Sequence, residues 1–316
     1  MILVGDPRFD WHDLEQIGYK LVRLAPDIAV QLVSRLDTSA ALSDEKWARP
    51  SMTVSFGPLG NFEPRRGSVF MNRPISKLDQ ISMLKHAGIN VPRAERFKFG
   101  QAYSEDEWGE FVVLKPLPLN LTSKGGTVQL IRTKNLKALT PDRFPDDHAL
   151  SQGPAMIQQF IDTGEYATNW RVLTLFGEPL HSLKSRAAIA RPALSATDEE
   201  IESAIVEPKH PKFKAEFKYQ DYRSLESDPE ILEFARLIHT AFPRTPLKGC
   251  DIVREAKTGR LFALEINAGG NTWHFSSEIF AKNRQLLGGK EAFVKQFDAW
   301  KTAAEVFIRQ TRAHAC

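Results

Sequence analysis

Two apolar segments near the C-terminal end constrain this chain most. Gly249-Cys250-Asp251-Ile252-Val253 and Leu261-Phe262-Ala263-Leu264-Glu265-Ile266-Asn267 flank the turn signal Lys257-Thr258-Gly259-Arg260. Apolar runs of this length around a glycine-bearing turn predict adjacent antiparallel strands. Such a pairing brings Asp251 near Glu265, while Glu265 and Asn267, two apart, share one face. The result is two carboxylates and an amide on a sheet whose other positions are apolar. An exposed acidic sheet face is the plain reading of such residues. The apolar neighbours Ala263, Leu264 and Ile266 favour burial instead, and an all-oxygen set suits Mg²⁺, which takes few protein ligands and fills its shell with water and phosphate.

The rest of the chain supplies the setting. Residues 1–75 mix helical and strand signals, with short strands at Ser51-Met52-Thr53-Val54-Ser55-Phe56 and Gly67-Ser68-Val69-Phe70-Met71-Asn72, and read as a small α/β domain. Leu78, Ile81 and Leu84 recur at helical spacing between Ser76, an N-cap, and Gly88, a C-cap. Phe111-Val112-Val113-Leu114-Lys115-Pro116, Thr127-Val128-Gln129-Leu130-Ile131 and Ala155-Met156-Ile157-Gln158-Gln159-Phe160-Ile161 read as strands. Residues 170–176 and 180–184 form a hairpin around Gly177-Glu178-Pro179. Residues 187–222 are polar, basic and proline-containing, and predict a mobile loop or lid. Residues 229–240 predict a helix with Ile231, Leu232, Ala235 and Ile238 on one side. The last forty residues read as helical. No internal repeat and no low-complexity tract interrupts this order.

Other residues carry candidate chemistry. Lys115 ends a buried strand. It is either a snorkelling lysine or a phosphate contact. Ser123-Lys124-Gly125-Gly126-Thr127 is either a plain turn or a cradle of backbone N–H groups for phosphate oxygens. Arg171, Lys184 and Arg186 lie on the predicted hairpin, and pairing of its arms would bring the three cations together around an anion. Lys209-His210-Pro211-Lys212-Phe213-Lys214 is either solvated surface or part of a lid that recruits an anionic substrate. His274 is either a substrate contact or a packed loop histidine.

Taken in order, these segments resemble the ATP-grasp superfamily over roughly residues 72–285, particularly D-alanine–D-alanine ligase, glutathione synthetase and the ribosomal-protein glutamate ligases. The resemblance implies an α/β (α+β) fold in which two α/β subdomains, 76–157 and 158–316, clasp ATP behind an N-terminal domain, 1–75. It also implies residue roles. Lys77 and Lys115 hold ATP phosphates, and the stretch from Ser123 through Gly125 and Gly126 forms a flap over them. Gln158, Gln159, Phe160 and Ile161 present backbone to adenine. Glu165 binds the ribose hydroxyls, with Asp162 as a competitor. Arg171 meets the transferring phosphoryl group, and Asp251, Glu265 and Asn267 bind Mg²⁺, or Mn²⁺ in its place. Lys184 and Arg186 would then stabilise charge on the acyl phosphate.

The chain departs from the family pattern at three places. Gln158 and Gln159 stand where relatives usually carry Glu, the flap lacks the richer glycine–serine pattern, and no Asn-x-x-Gly-Gly segment follows Arg186. The last departure removes any claim to the glutamate ligases' substrate.

The expected activity is ATP-dependent ligation of a small-molecule or peptide carboxylate to an amine or thiol. A kinase built on the same grasp and a non-catalytic nucleotide-binding module are the alternatives. Composition narrows the partners. A net charge of +3 with no long basic block argues against nucleic acid, and no apolar stretch approaches the ~20 residues that span a bilayer. Cys250 and Cys316 are too far apart in sequence to suggest a disulfide framework, which fits a reducing cytoplasm. A homo-oligomer is compatible with all of this.

Overall fold

The computed structural model describes residues 1–6, 10–117, 128–144, 148–204, 206–207 and 222–316. The first sheet is formed by β1 (Ile2–Gly5), β2 (Gln31–Ser34), β3 (Met52–Ser55) and β4 (Ser68–Met71), with α1 (Trp11–Leu24) and α2 (Asp44–Ala48) between strands. Its order is β2-β1-β3-β4 and every pairing is parallel. The mixed helix and strand signals of residues 14–33 resolve as a helix followed by a strand.

A second sheet follows α3 (Lys77–His86). It contains β5 (Ala94–Arg96), β6 (Phe111–Pro116), β7 (Gln129–Arg132) and β8 (Ala155–Gln159), with α4 (Glu105–Trp108) and α5 (Ala149–Gln152) in the connections. The order is β5-β8-β6-β7, all antiparallel. Val112, Leu114, Ile131 and Ile157 bury one side against Trp108, Leu136 and Leu150. The Ser76 hydroxyl caps α3 by accepting from Asp79 N–H at 3.2 Å. Gly88 follows with φ 75°, a left-handed conformation that glycine adopts without a side-chain clash.

The third sheet is built from β9 (Thr168–Leu175), β10 (Glu178–Arg186), β11 (Tyr222–Leu225), β12 (Leu247–Arg254) and β13 (Leu261–Asn267), with α6 (Asp198–Glu202) and α7 (Pro229–Ile238) in its connections. The antiparallel order is β11-β10-β9-β12-β13. Ile231, Ala235 and Ile238 of α7 cover one face, packing with Trp170, Val172, Cys250 and Ile252. The other face belongs to a cluster containing Leu173, Leu175, Leu183, Trp273, Phe275 and Phe293. That cluster continues into Leu3, Leu14, Ile17 and Val54 of the N-terminal layer and Phe307 near the C-terminal end. Thus α8 (Ala281–Leu286), α9 (Gly289–Gln296) and α10 (Ala299–His314) close the chain back onto its beginning.

Among the described residues, two of the segments that join the second and third sheets lie at 159–161 and 187–204. From β8, Gln159 N–H donates to the Arg93 carbonyl at 2.8 Å, and Phe160 N–H to that of Phe111 at 3.4 Å. Ile161 then packs with Val253 and Phe262 of the third sheet. The second segment, 187–204, departs from the expectation of a mobile lid. Ala187 N–H donates to the Ala167 carbonyl at 2.8 Å, and Arg191 N–H to that of Glu165 at 2.7 Å. The segment then crosses to the second sheet, where Ile201 packs with Phe111, Val113 and Leu130. Arg132 donates to the carbonyls of Leu194 and Ala196, each at 2.8 Å, and bonds Asp198 at 2.8 Å. A polar sequence hides this strap because one buried isoleucine and a well-partnered arginine hold it. No helix among the described residues is long and apolar enough to cross a membrane.

Candidate functional site

Three strands align the central charges. Asp251 of β12 is registered opposite Arg171 of β9 on one side and Glu265 of β13 on the other. Residues paired in this way share a sheet face. Arg171 grips Asp251 with two hydrogen bonds, Nε to Oδ1 at 2.6 Å and Nη2 to Oδ2. Asn267 Nδ2 donates to Asp251 Oδ2 at 3.1 Å. Lys77, at the first turn of α3, places Nζ 2.8 Å from Glu265 Oε2. The Gln80 amide of the same helix accepts from Ile266 N–H at 2.8 Å, so α3 is tied to the strand that carries Glu265.

Lys115 enters from the second sheet. It is only 7% exposed, and its Nζ lies 2.6 Å from Glu207 Oε1 at the end of the strap. Three ion pairs, Lys77–Glu265, Arg171–Asp251 and Lys115–Glu207, therefore lie within electrostatic reach of one another. Burial opposes ionisation of Glu265, but Lys77, Lys115 and Arg171 outweigh it and hold the carboxyl down at about 2. Burial pushes Asp251 up against the pull of Arg171. Glu265 still sustains the Lys77 ammonium despite the burial of that lysine.

Packing behind the charges fixes their strands. Asp13 of α1 is buried and accepts from Trp273 Nε1 at 2.8 Å and from Lys290 at 2.6 Å, which anchors the loop after β13 to the N-terminal layer. Gly249 on β12 lets the turn 270–272 approach. A Cβ there would lie 2.8 Å from Thr272 Cγ2. The donor chemistry fits a hard cation. Among the described residues no three His, Cys, Asp or Glu side chains gather as a metal-holding group. Asp251, Glu265 and Asn267 supply two carboxylates and an amide, a set suited to Mg²⁺ that draws its remaining oxygens from phosphate and water.

No protein-family profile and no curated protein matches the chain. Solved structures do. The ATP-grasp ligase PsnB complexed with precursor peptide PsnA2 and AMPPNP matches with a TM-score of 0.53 and 16% identity, covering 98% of each chain. The same ligase complexed with minimal precursor, Mg and ADP matches with a TM-score of 0.52 and 15% identity, again over 98% of each chain. The chain has the ATP-grasp fold.

The ATP-grasp layout, with a small α/β layer ahead of two antiparallel sheets, agrees with the architecture expected from the sequence. Its residues distribute less simply. Lys77, Lys115, Arg171, Asp251, Glu265 and Asn267 come together. Gln158 is buried within β8, and Gln159, Phe160 and Ile161 form the join between the sheets. Ser123, Gly125 and Gly126 lie outside the described residues, as does the basic stretch from Lys209 to Lys214. Glu165 is exposed. Its competitor Asp162 is bonded to Arg191 and accepts from Gly164 N–H at 2.9 Å.

Lys184 and Arg186 are the clear correction. The hairpin register pairs Arg171 with Leu183, so Lys184 and Arg186 fall on the opposite face. Lys184 lies over the Trp170 ring at 5.2 Å and pairs with Glu226 at 3.4 Å. Arg186 is stacked between Tyr166 and Tyr222, 4.8 Å from each ring. Aromatic faces and a carboxylate, not a common anion, neutralise these cations. His274 takes the bland alternative. It is buried and stacked against Phe280 at 4.0 Å and His181 at 5.0 Å. Glu207 carries no mark in the sequence, because a single glutamate beside a basic tract gives no local signal of a contact 92 residues away.

Proposed function

We propose that the chain is an ATP-dependent carboxylate–amine, or carboxylate–thiol, ligase that works through an acyl phosphate. The observation that carries this reading is the row Lys77–Glu265–Asp251–Arg171, with Lys115 facing it from the second sheet. Nucleotide binds between a subdomain of about 76–157 and one of about 158–316, with adenine on the backbone from Gln158 to Ile161. Lys77 and Lys115 hold the phosphate oxygens. Arg171, fixed in place by Asp251, presents donors to the γ-phosphoryl group. Magnesium held by Asp251, Glu265 and Asn267 would neutralise charge on the β- and γ-phosphates.

The chemistry balances without further reagents. A substrate carboxylate oxygen forms a bond to the γ-phosphorus as the bond to the bridging oxygen breaks, releasing ADP. The acceptor nitrogen or sulfur then bonds the carbonyl carbon, inorganic phosphate leaves, and the nucleophile loses its proton. The protein contributes chiefly position and preorganised charge. The substrate is a small-molecule or peptide carboxylate. PsnB has been seen with a precursor peptide, which makes peptides the first class to test.

The test is ADP release from Mg-ATP over a panel of peptides, amino acids and small acids, repeated with hydroxylamine. A ligase yields ADP and a hydroxamate. ADP with a stable phosphate ester and no hydroxamate would establish a kinase instead. Absence of Mg-ATP binding would remove both.

A further inference from the structure

Glu207 is a carboxylate of the cluster that the proposed chemistry does not use. It reaches Lys115 at the end of a strap with its own architecture. Thr197 and Glu200 form a reciprocal capping box at the start of α6, Ile201 is buried, and Arg132 ties Asp198 and two carbonyls to the second sheet. The strap delivers Glu207 to a lysine whose ammonium is almost fully enclosed. The two partners differ in freedom, because the Lys115 side chain is 9% exposed and that of Glu207 36%. The partly exposed carboxylate loses little by returning to water, but the enclosed ammonium needs an anion beside it, so the pair opens readily when another anion takes the carboxylate's place. Glu207 also lies within electrostatic reach of Lys77, Arg171 and Asp251, as a phosphate on Lys115 would.

We propose that Glu207 occupies the phosphate position on Lys115 in the nucleotide-free protein, so that nucleotide binds by exchanging one anion for another on that lysine. The inference rests on the nucleotide-binding reading of this site. Its consequence is a set affinity. Glu207 and a phosphate compete for the same lysine, so the carboxylate's own hold on Lys115 is subtracted from the affinity for nucleotide. The competition is confined to phosphate, so the adenosine moiety is unaffected. Glu207 is thus a positioning residue that acts through Lys115.

The experiment is calorimetric titration of the full chain with Mg-ADP, with ADP in chelator, and with adenosine, for wild type, Glu207→Gln, Lys115→Ala and the double variant. Gln keeps the shape and removes the charge. Glu207→Gln is expected to tighten ADP about three- to tenfold, with or without magnesium, and to leave adenosine unchanged. In the Lys115→Ala background the same substitution should have no effect, which a merely structural role would not produce. If wild type binds ADP and Glu207→Gln binds it equally or more weakly, the inference is overturned. Weakening confined to the magnesium arm would make Glu207 a metal ligand and overturn it too. If wild type binds no nucleotide, the functional reading itself has failed and this inference falls with it.

Discussion

Arg171 and Asp251 stand directly opposite each other on β9 and β12, joined by a two-pronged hydrogen-bonded pair whose Nε–Oδ1 arm measures 2.6 Å. The carboxylate is buried and the guanidinium is one-third exposed. Among the described residues, removing the arginine would leave the buried carboxylate with only the Asn267 amide to satisfy it. Arg171→Ala should therefore destabilise the fold by about 3 kcal/mol. Arg171→Lys should cost less stability yet still impair catalysis, because an ammonium cannot reproduce the planar fork. Urea unfolding and ADP release on the two variants check this. Equal stability of Arg171→Ala and wild type would show that the pair does not hold the strands.

Glu265→Gln removes a charge and keeps the shape. The fold should survive, since the Lys77 contact can persist as a hydrogen bond to the amide oxygen. Turnover should fall by about two orders of magnitude or more, as loss of phosphate charge neutralisation implies. Steady-state ADP production with a magnesium titration is the measurement. Near-normal turnover in both Glu265→Gln and Asp251→Asn would refute the metal assignment.

Arg186→Ala carries the opposite expectation. The side chain is stacked between Tyr166 and Tyr222 on the face away from Arg171. ADP formation should stay within about twofold of wild type, and stability should fall by about 1 kcal/mol from lost stacking. A large drop in ligation with unchanged stability would return Arg186 to the catalytic group.

Acid should destabilise the protein through two histidines. Burial, helped by Arg171, lowers His181 to about 3, and burial with Lys248 nearby lowers His239 to about 4, against an ordinary value of 6.5. The unfolded chain therefore binds protons below pH 6.5 that the native state refuses. The stabilisation of the neutral forms is complete above pH 6.5 and is lost as pH falls toward 4 and 3. Each group gives a limiting slope of about 1.4 kcal/mol per pH unit in that window. His181 packs edge-on to Phe275 and Phe293, so His181→Phe should flatten its share of the slope. Melting temperatures from pH 4 to 7 test this, and an unchanged slope would contradict it.

Lys248 should act at the alkaline end. It is fully buried, donates to the Thr245 carbonyl at 2.6 Å, and lies 2.8 Å from His239 Nδ1. Burial lowers its value to about 8 from 10.5. The unfolded chain holds the proton longer, so stability should rise with pH between about 8 and 10.5. Lys248→Met should abolish that rise in denaturant titrations across the range, and a rise that persists in the variant would assign it to another group.

The local pattern of the chain determined a good deal. Apolar runs around Lys257-Thr258-Gly259-Arg260 were enough to pair Asp251 with Glu265, because a short turn permits few registers. Ser76 and Gly88 bounded α3, whose first turn carries Lys77, because caps are satisfied within a few residues. Tertiary structure alone decided the rest. The face to which Lys184 and Arg186 point depends on a hairpin register in which a shift of one residue exchanges every side chain between faces. Within residues 187–222, whose sequence predicts a mobile loop or lid, the stretch 187–204 is held because Ile201 packs with Phe111, Val113 and Leu130 and Arg132 donates to its carbonyls. Glu207 became part of the site only because that strap carried it across to Lys115. Short-range periodicity and capping are properties of neighbouring residues and survive in the sequence, whereas charge pairing between distant segments exists only once the core has set the path of the backbone between them.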